Sequence, residues 1–140
     1  MAEYEGDITP QQAWEMLLDN PAAVLVDVRT EAEWRFVGVP DTSETGREPL
    51  FVEWINYPGG APNHGFLEEL ADAGIVPDTG APLLFLCRSG QRSMGAAAAA
   101  TAAGMGPAYN ILDGFEGGPD VDGHRGVQGW KAAGLPWRQG

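Results

Sequence analysis

With 140 residues and a hydrophobic content of 44%, the chain is long enough to build one compact domain around one core. Twenty acidic against 8 basic residues leave a net charge of -12, which argues against nucleic acid and against anionic membrane surfaces as partners. No stretch approaches the ~20 apolar residues of a membrane span. The acidic start Met1-Ala2-Glu3-Tyr4-Glu5-Gly6-Asp7 lacks the layout of a secretory signal, and one cysteine cannot form an intramolecular disulfide, so a cytoplasmic location is expected.

Thr9 reads as a helix N-cap, with Pro10 at the first helical position and Gln12 completing a capping box. Trp14, Leu17 and Leu18 then share one helical face, and Asn20-Pro21 ends the helix. Residues 23–28, Ala-Val-Leu-Val-Asp-Val, form the continuous run expected of a strand buried on both faces. Residues 29–34 read as a polar loop or short helix, residues 36–41 as a short strand and turn, and residues 41–49 as loop. Residues 50–56 are strand-like until Tyr57-Pro58-Gly59-Gly60 breaks the run. Asn63 is placed to cap a helix carrying Phe66, Leu67 and Leu70, with Gly74 past its end.

Leu83-Leu84-Phe85-Leu86 is the next buried strand, and Cys87-Arg88-Ser89-Gly90-Gln91-Arg92-Ser93 follows it directly. An Ala-rich helix then starts near Ser93 and ends near Gly104. Tyr109-Asn110-Ile111-Leu112 is a last short strand, entering Asp113-Gly114-Phe115-Glu116-Gly117-Gly118. Residues 119–140 are Gly-rich and irregular, with Trp130, Leu135, Pro136 and Trp137 expected to pack back on a core spanning about residues 8–118. Strands alternating with helices imply an α/β fold with a parallel sheet and right-handed crossovers. In such sheets ligands bind at the carboxyl ends of strands. Cys87 lies at one such end, and Asp27-Val28-Arg29 at another.

The order strand, tight loop, helix gives the lone thiol two aids to ionisation: a helix N-terminus and nearby cations. Backbone N–H groups from Arg88 to Ser93 can curl into an anion nest, Gly90 permits the tight turn, and Arg88 and Arg92 add charge for an anionic substrate. His64 and His124 have no dyad spacing to Cys87, so a Cys-His protease is disfavoured, and one Cys with two distant His makes no metal-ligand set. A thiol without a general base suits transfer of an atom whose leaving group is already a stable anion. Cysteine phosphatases place an arginine six positions after the nucleophile. Here Ser93 holds that position and Arg92 comes one earlier, so the cradle is one residue short for phosphate.

These segments together resemble the rhodanese family of sulfurtransferases over most of residues 8–118. The resemblance rests on Leu25-Val26-Asp27-Val28-Arg29 with Glu33-Trp34, on the Cys87 to Arg92 loop with Ser93, and on residues 110–117. The family's Gly-His-Ile-Pro-Gly-Ala segment appears only as Phe36-Val37-Gly38-Val39-Pro40-Asp41. Residues 124–137 resemble an extension found in a bacterial subset. The resemblance implies a single rhodanese-like domain, a sheet of about five strands with helices on both faces, and no cofactor. It implies that Cys87 takes a sulfane sulfur from thiosulfate or a persulfide, small molecule or protein-borne, and passes it to cyanide or a thiol. Arg88, Ser89, Gly90, Gln91, Arg92 and Ser93 would hold the substrate, with Arg88 and Arg92 either gripping a sulfonate or pairing with some of the many carboxylates, and Ser93 either donating its hydroxyl or capping the helix. Asp27 and Arg29 would orient the loops at the strand ends through mutual or Glu33 contacts, Trp34 would pack in the core or else wall the pocket, and His124 and Arg125 would lie in a solvated turn unless the tail folds over the site. The competing readings are a non-enzymatic binding or regulatory module, which usually lacks the cysteine, and a phosphatase relative.

Overall fold

Thr9 starts the first helix through a closed capping box: its Oγ1 accepts from the Gln12 N–H at 3.1 Å, and its own N–H donates to Gln12 Oε1 at 2.8 Å. The computed structural model describes residues 4–45, 48–54, 63–75, 80–88, 90, 92–117 and 129–138. In chain order these form β1 (Gly6–Ile8), α1 (Pro10–Asp19), β2 (Val24–Asp27), α2 (Glu31–Phe36), β3 (Val39–Pro40), a 3-10 turn (Ser43–Thr45), β4 (Leu50–Phe51) and α3 (Phe66–Asp72). The second half adds β5 (Leu83–Leu86), α4 (Arg92–Ala102), β6 (Ala108–Ile111), α5 (Gly129–Ala132) and β7 (Trp137–Arg138).

The main sheet has five parallel strands in the order β1-β6-β5-β2-β4. The expected α/β architecture is therefore the one formed. β5 sits at its centre, and its side chains alternate between two cores as the strand period of 2 requires. Leu83, Phe85 and Cys87 pack with Val26, Val28, Phe66, Leu70, Ala96, Ala97 and Ala100 on one face. Leu84 and Leu86 pack with Leu25, Ile111, Ala13, Leu17, Phe115 and Trp130 on the other. Helices α3 and α4 thus cover one face, and α1 and α5 the other. The alanines of α4 let that helix lie close over the strand end that carries Cys87.

Four sequence expectations change. β1 was not foreseen: Gly6-Asp7-Ile8 has no strand periodicity, and it is ordered by pairing with the exposed edge of β6. Of the strand expected over residues 50–56, Leu50–Phe51 forms β4 and residues 52–54 leave it, although the N–H groups of Val52 and Trp54 still donate to the Asp27 and Val28 carbonyls at 3.1 and 3.2 Å; residues 55 and 56 lie outside the described residues. The strand expected within residues 36–41 narrows to Val39–Pro40 and pairs antiparallel with β7, outside the main sheet. Gly65, not Asn63, occupies the N-cap of α3, while Asn63 Oδ1 accepts from the Gly65 N–H at 3.1 Å.

The C-terminal segment does pack back. Trp130 is fully buried, lies edge-on to Trp14 at 5.9 Å, and donates from Nε1 to the Pro136 carbonyl at 2.7 Å. Among the described residues, no helix is long and apolar enough to cross a membrane.

Candidate active site

β5 delivers Cys87 at its carboxyl end, and the residue has no exposed surface. The Gly90 N–H donates to Sγ at 3.1 Å. Gly90 has φ of 97°, and a Cβ there would stand 3.1 Å from the Asp113 nitrogen, so glycine is required on both counts. Ser89 and Gln91 lie outside the described residues, as do His124 and Arg125.

The turn after β6 clamps the start of the loop. The Phe115 N–H donates to the Cys87 carbonyl at 2.8 Å, and the Glu116 and Gly117 N–H groups share the Arg88 carbonyl at 3.0 and 3.1 Å. This approach depends on Gly114: a Cβ there would collide with the Cys87 carbonyl oxygen and with Arg88 backbone atoms at 2.6 and 2.7 Å.

Helix α4 begins at Arg92, one residue earlier than expected, so Ser93 sits inside its first turn rather than capping it. The buried Ser93 Oγ lies 3.2 Å from Cys87 Sγ and 2.5 Å from Asn110 Oδ1. Asn110 in turn donates from Nδ2 to Asp7 Oδ1 at 3.0 Å, and the Tyr4 hydroxyl donates to the same oxygen at 2.8 Å. The carboxylate can only accept, so it orients the Asn110 amide with Oδ1 towards Ser93. The single Ser93 proton is then directed to Asn110. A turn of the hydroxyl would give the same proton to a thiolate, since either atom of the contact with sulfur can donate. Burial raises the Tyr4 hydroxyl above its ordinary value, and the Asp7 carboxylate adds to that rise.

Three arginines surround this cradle, and each meets a carboxylate. Arg92 pairs bidentately with Glu33, Nη1–Oε1 at 2.7 Å and Nη2–Oε2 at 2.9 Å. Burial pushes the Glu33 carboxyl up, but Arg92 and the Thr30 backbone N–H outweigh it and hold the group below the usual carboxylate range. Arg88 Nε approaches Glu116 Oε2 to 2.9 Å, yet neither atom makes an aligned hydrogen bond, so this contact is an ion pair only. Arg29 is wholly buried: Nε and Nη2 grip Asp27 at 2.9 and 2.7 Å, Nη2 also donates to the Gly38 carbonyl at 2.8 Å, and the guanidinium stacks on Phe115 at 4.2 Å. Of the two partnerships foreseen for Asp27 and Arg29, the mutual one forms, and Glu33 goes to Arg92.

Trp34 is half-buried and edge-on to Phe51 at 5.2 Å. It lines a cavity of about 460 Å³ with Glu31, Arg35, Val39, Phe51 and Arg138, none of which belongs to the Cys87 loop. His64 is exposed in the turn before α3.

Sequence reasoning did not assign Glu116, Asn110 or Asp7 to the site, nor foresee Glu33 as the partner of Arg92. Asn110 carried a usable signal: an amide in an otherwise apolar strand requires a buried partner. Glu33 carried one too, since Thr30-x-x-Glu33 is a capping box that fixes its side chain at the start of α2. Nothing in the spacing points to Arg92, which lies 59 residues away.

The model of the STR4 middle domain family matches residues 6–140. The crystal structure of Rv0390 from M. tuberculosis superposes with a TM-score of 0.90 at 64% identity, covering 99% of this chain and 100% of that one. A Rickettsia rickettsii protein of uncharacterised role is 39% identical over 133 residues, covering 94% of this chain and 96% of its own length. A chloroplastic protein of Oryza sativa subsp. indica, named thylakoid rhodanese-like, is 29% identical over 132 residues, which are 94% of this chain and 25% of that protein.

Proposed function

The chain belongs to the STR4 middle domain family, and from that premise we propose that it is a sulfurtransferase using Cys87 as nucleophile and sulfur carrier. The observation that carries this reading is the sulfur's setting. A lone buried thiol ends the central strand with a main-chain amide aimed at Sγ from 3.1 Å, and the 11-residue helix α4 begins five residues later. Such a cradle favours negative charge on sulfur through fixed dipoles that need no reorganisation during reaction. The relation to a rhodanese-like protein supports the same chemistry.

In the first step the Cys87 thiolate attacks the outer sulfur of thiosulfate or of a persulfide. The new Sγ–S bond forms as the donor's S–S or S–sulfonate bond breaks, and the electron pair leaves on the thiolate or sulfite. In the second step a thiol or cyanide attacks the terminal sulfur, and Cys87 regains its thiolate. Small sulfur anions, and a protein persulfide as donor or a protein thiol as acceptor, are the partners this chemistry accommodates. No cofactor is required, because both leaving groups are stable anions.

The test is mass spectrometry of the intact protein after incubation with each donor. One added sulfur is expected, removed by cyanide and absent in Cys87→Ser. Failure of every donor to load the wild-type chain, or loading of Cys87→Ser, overturns the assignment.

A further inference from the structure

We infer that Glu33, with Glu116 in support, selects the donor class: this site takes sulfur from a thiol-borne persulfide and discriminates against dianionic thiosulfate. The inference rests on the sulfurtransferase reading above and narrows it.

From sequence, Arg88 and Arg92 are either grips for a sulfonate or partners of some of the many carboxylates. In the folded chain they are not free. Arg92 has both terminal nitrogens on the two oxygens of Glu33, at 2.7 and 2.9 Å, in the fork-to-fork geometry that a sulfonate would otherwise occupy. Arg88 stands 2.9 Å from Glu116. The third cation, Arg29, is matched by Asp27, which pairs in the sheet with Leu86, the residue before Cys87. Among the described residues, then, each of these three arginines is matched by one carboxylate, and none is left as unbalanced positive charge for a dianion.

A dianion entering this site must either displace Glu33 from Arg92 or sit beside its charge. Outside the site it also meets a protein of net charge -12. A persulfide R–S–SH, which reacts as the neutral acid and carries at most one charge when ionised, meets less of both. The Cys87 thiolate attacks its outer sulfur, the Sγ–S bond forms, the R–S–S bond breaks, and R–S⁻ leaves to take a proton from solvent. No sulfonate grip is needed. The main-chain donor from Gly90 serves the sulfur itself whichever donor is used.

Two properties make Glu33→Gln a clean probe. Glutamine preserves the capping box with Thr30, since Glu and Gln serve equally at that position. It also removes the charge that holds Arg92. The probes are thiosulfate and the persulfide of 2-mercaptoethanol, a donor with a neutral head, and the readout is the second-order rate of sulfur loading on Cys87. Comparing each variant with wild type for the same donor cancels the donors' intrinsic reactivities. Loading from thiosulfate should rise about tenfold in Glu33→Gln, with the persulfide rate within about twofold of wild type. Glu116→Gln, at the more exposed pair, should act in the same direction by about threefold; it carries the test alone if the first variant does not fold. Equal changes for the two donors, or a fall in the thiosulfate rate, overturn donor selection while leaving sulfur transfer intact. No loading from either donor overturns the sulfurtransferase reading, and this inference with it.

Discussion

Replacing Asp27 by asparagine should destabilise the protein more than any other single uncharging in it. Asp27 and Arg29 have no exposed side-chain surface, and the guanidinium makes two short charge-assisted bonds to the carboxylate, at 2.9 and 2.7 Å. Asparagine keeps Oδ1 as an acceptor but turns an amide towards the other guanidinium nitrogen, so one bond to a charged group is lost, at about 1.5–3 kcal/mol, and the other is weakened. Leaving one member of a buried pair uncompensated gives about 3–5 kcal/mol by a separate route. Arg29 has little to fall back on: Nη2 keeps the Gly38 carbonyl, the ring of Phe115 offers its face, and Nη1 already lacks a partner. An unfolding entropy of ~2.1 cal/mol/K per residue over 140 residues converts this loss to a fall in Tm of about 10–17 °C. The assay is equilibrium denaturation of Asp27→Asn, Arg29→Met and the double variant. The double variant should be less destabilised than the sum of the singles by about 2 kcal/mol or more, because it leaves no orphaned charge. A loss below about 1 kcal/mol for Asp27→Asn, or strict additivity, would refute the reasoning.

Gly114→Ala should cost about 2–4 kcal/mol, from φ of 55° and a collision with the Cys87 and Arg88 backbone, and it should slow sulfur loading as well; wild-type Tm and loading rate in that variant would contradict the clamp. Trp130→Ala should lower stability by about 3–5 kcal/mol in urea unfolding, since the ring is wholly buried between α1 and the sheet. Acid should weaken the Glu33–Arg92 pair. Glu33 lies below its ordinary value in the folded chain, so its contribution is present above the unfolded carboxylate pKa of about 4.3 and is lost as pH falls through the folded value. Denaturation curves of Glu33→Gln should therefore start about 1–2 kcal/mol lower at pH 7 and fall less steeply than wild type below about pH 4; parallel pH profiles would show that the pair contributes nothing. Ser93→Ala should leave Asn110 Oδ1 buried without its donor and lower stability by about 1–3 kcal/mol, read by thermal melting.

Much of the fold was legible because its signals are short-range. The Thr9 capping box, the apolar runs of β2 and β5 and the alanines of α4 each act within a few residues, through backbone hydrogen bonds or the period of one element. The loop spacing after Cys87 is local in the same sense, and the nest of N–H groups it implies includes the Gly90 amide that meets the sulfur. β1 was not legible, because three residues containing Gly and Asp have no strand preference until β6 offers them an edge.

The site's charge state belongs to the second kind. From the chain alone, two arginines beside a thiol read either as grips for an anion or as partners of carboxylates that the spacing does not name. Only the tertiary structure decided that Glu33 reaches Arg92 across 59 residues, that Glu116 is folded back onto Arg88, and that Asp7 orients Asn110 across 103. The sequence by itself determined the local setting of the thiol: one sulfur, one tight loop, one helix start. The fold decided which of the surrounding charges remain free for a substrate. Charge pairing is a property of distance in space, and chain separation carries almost no information about it.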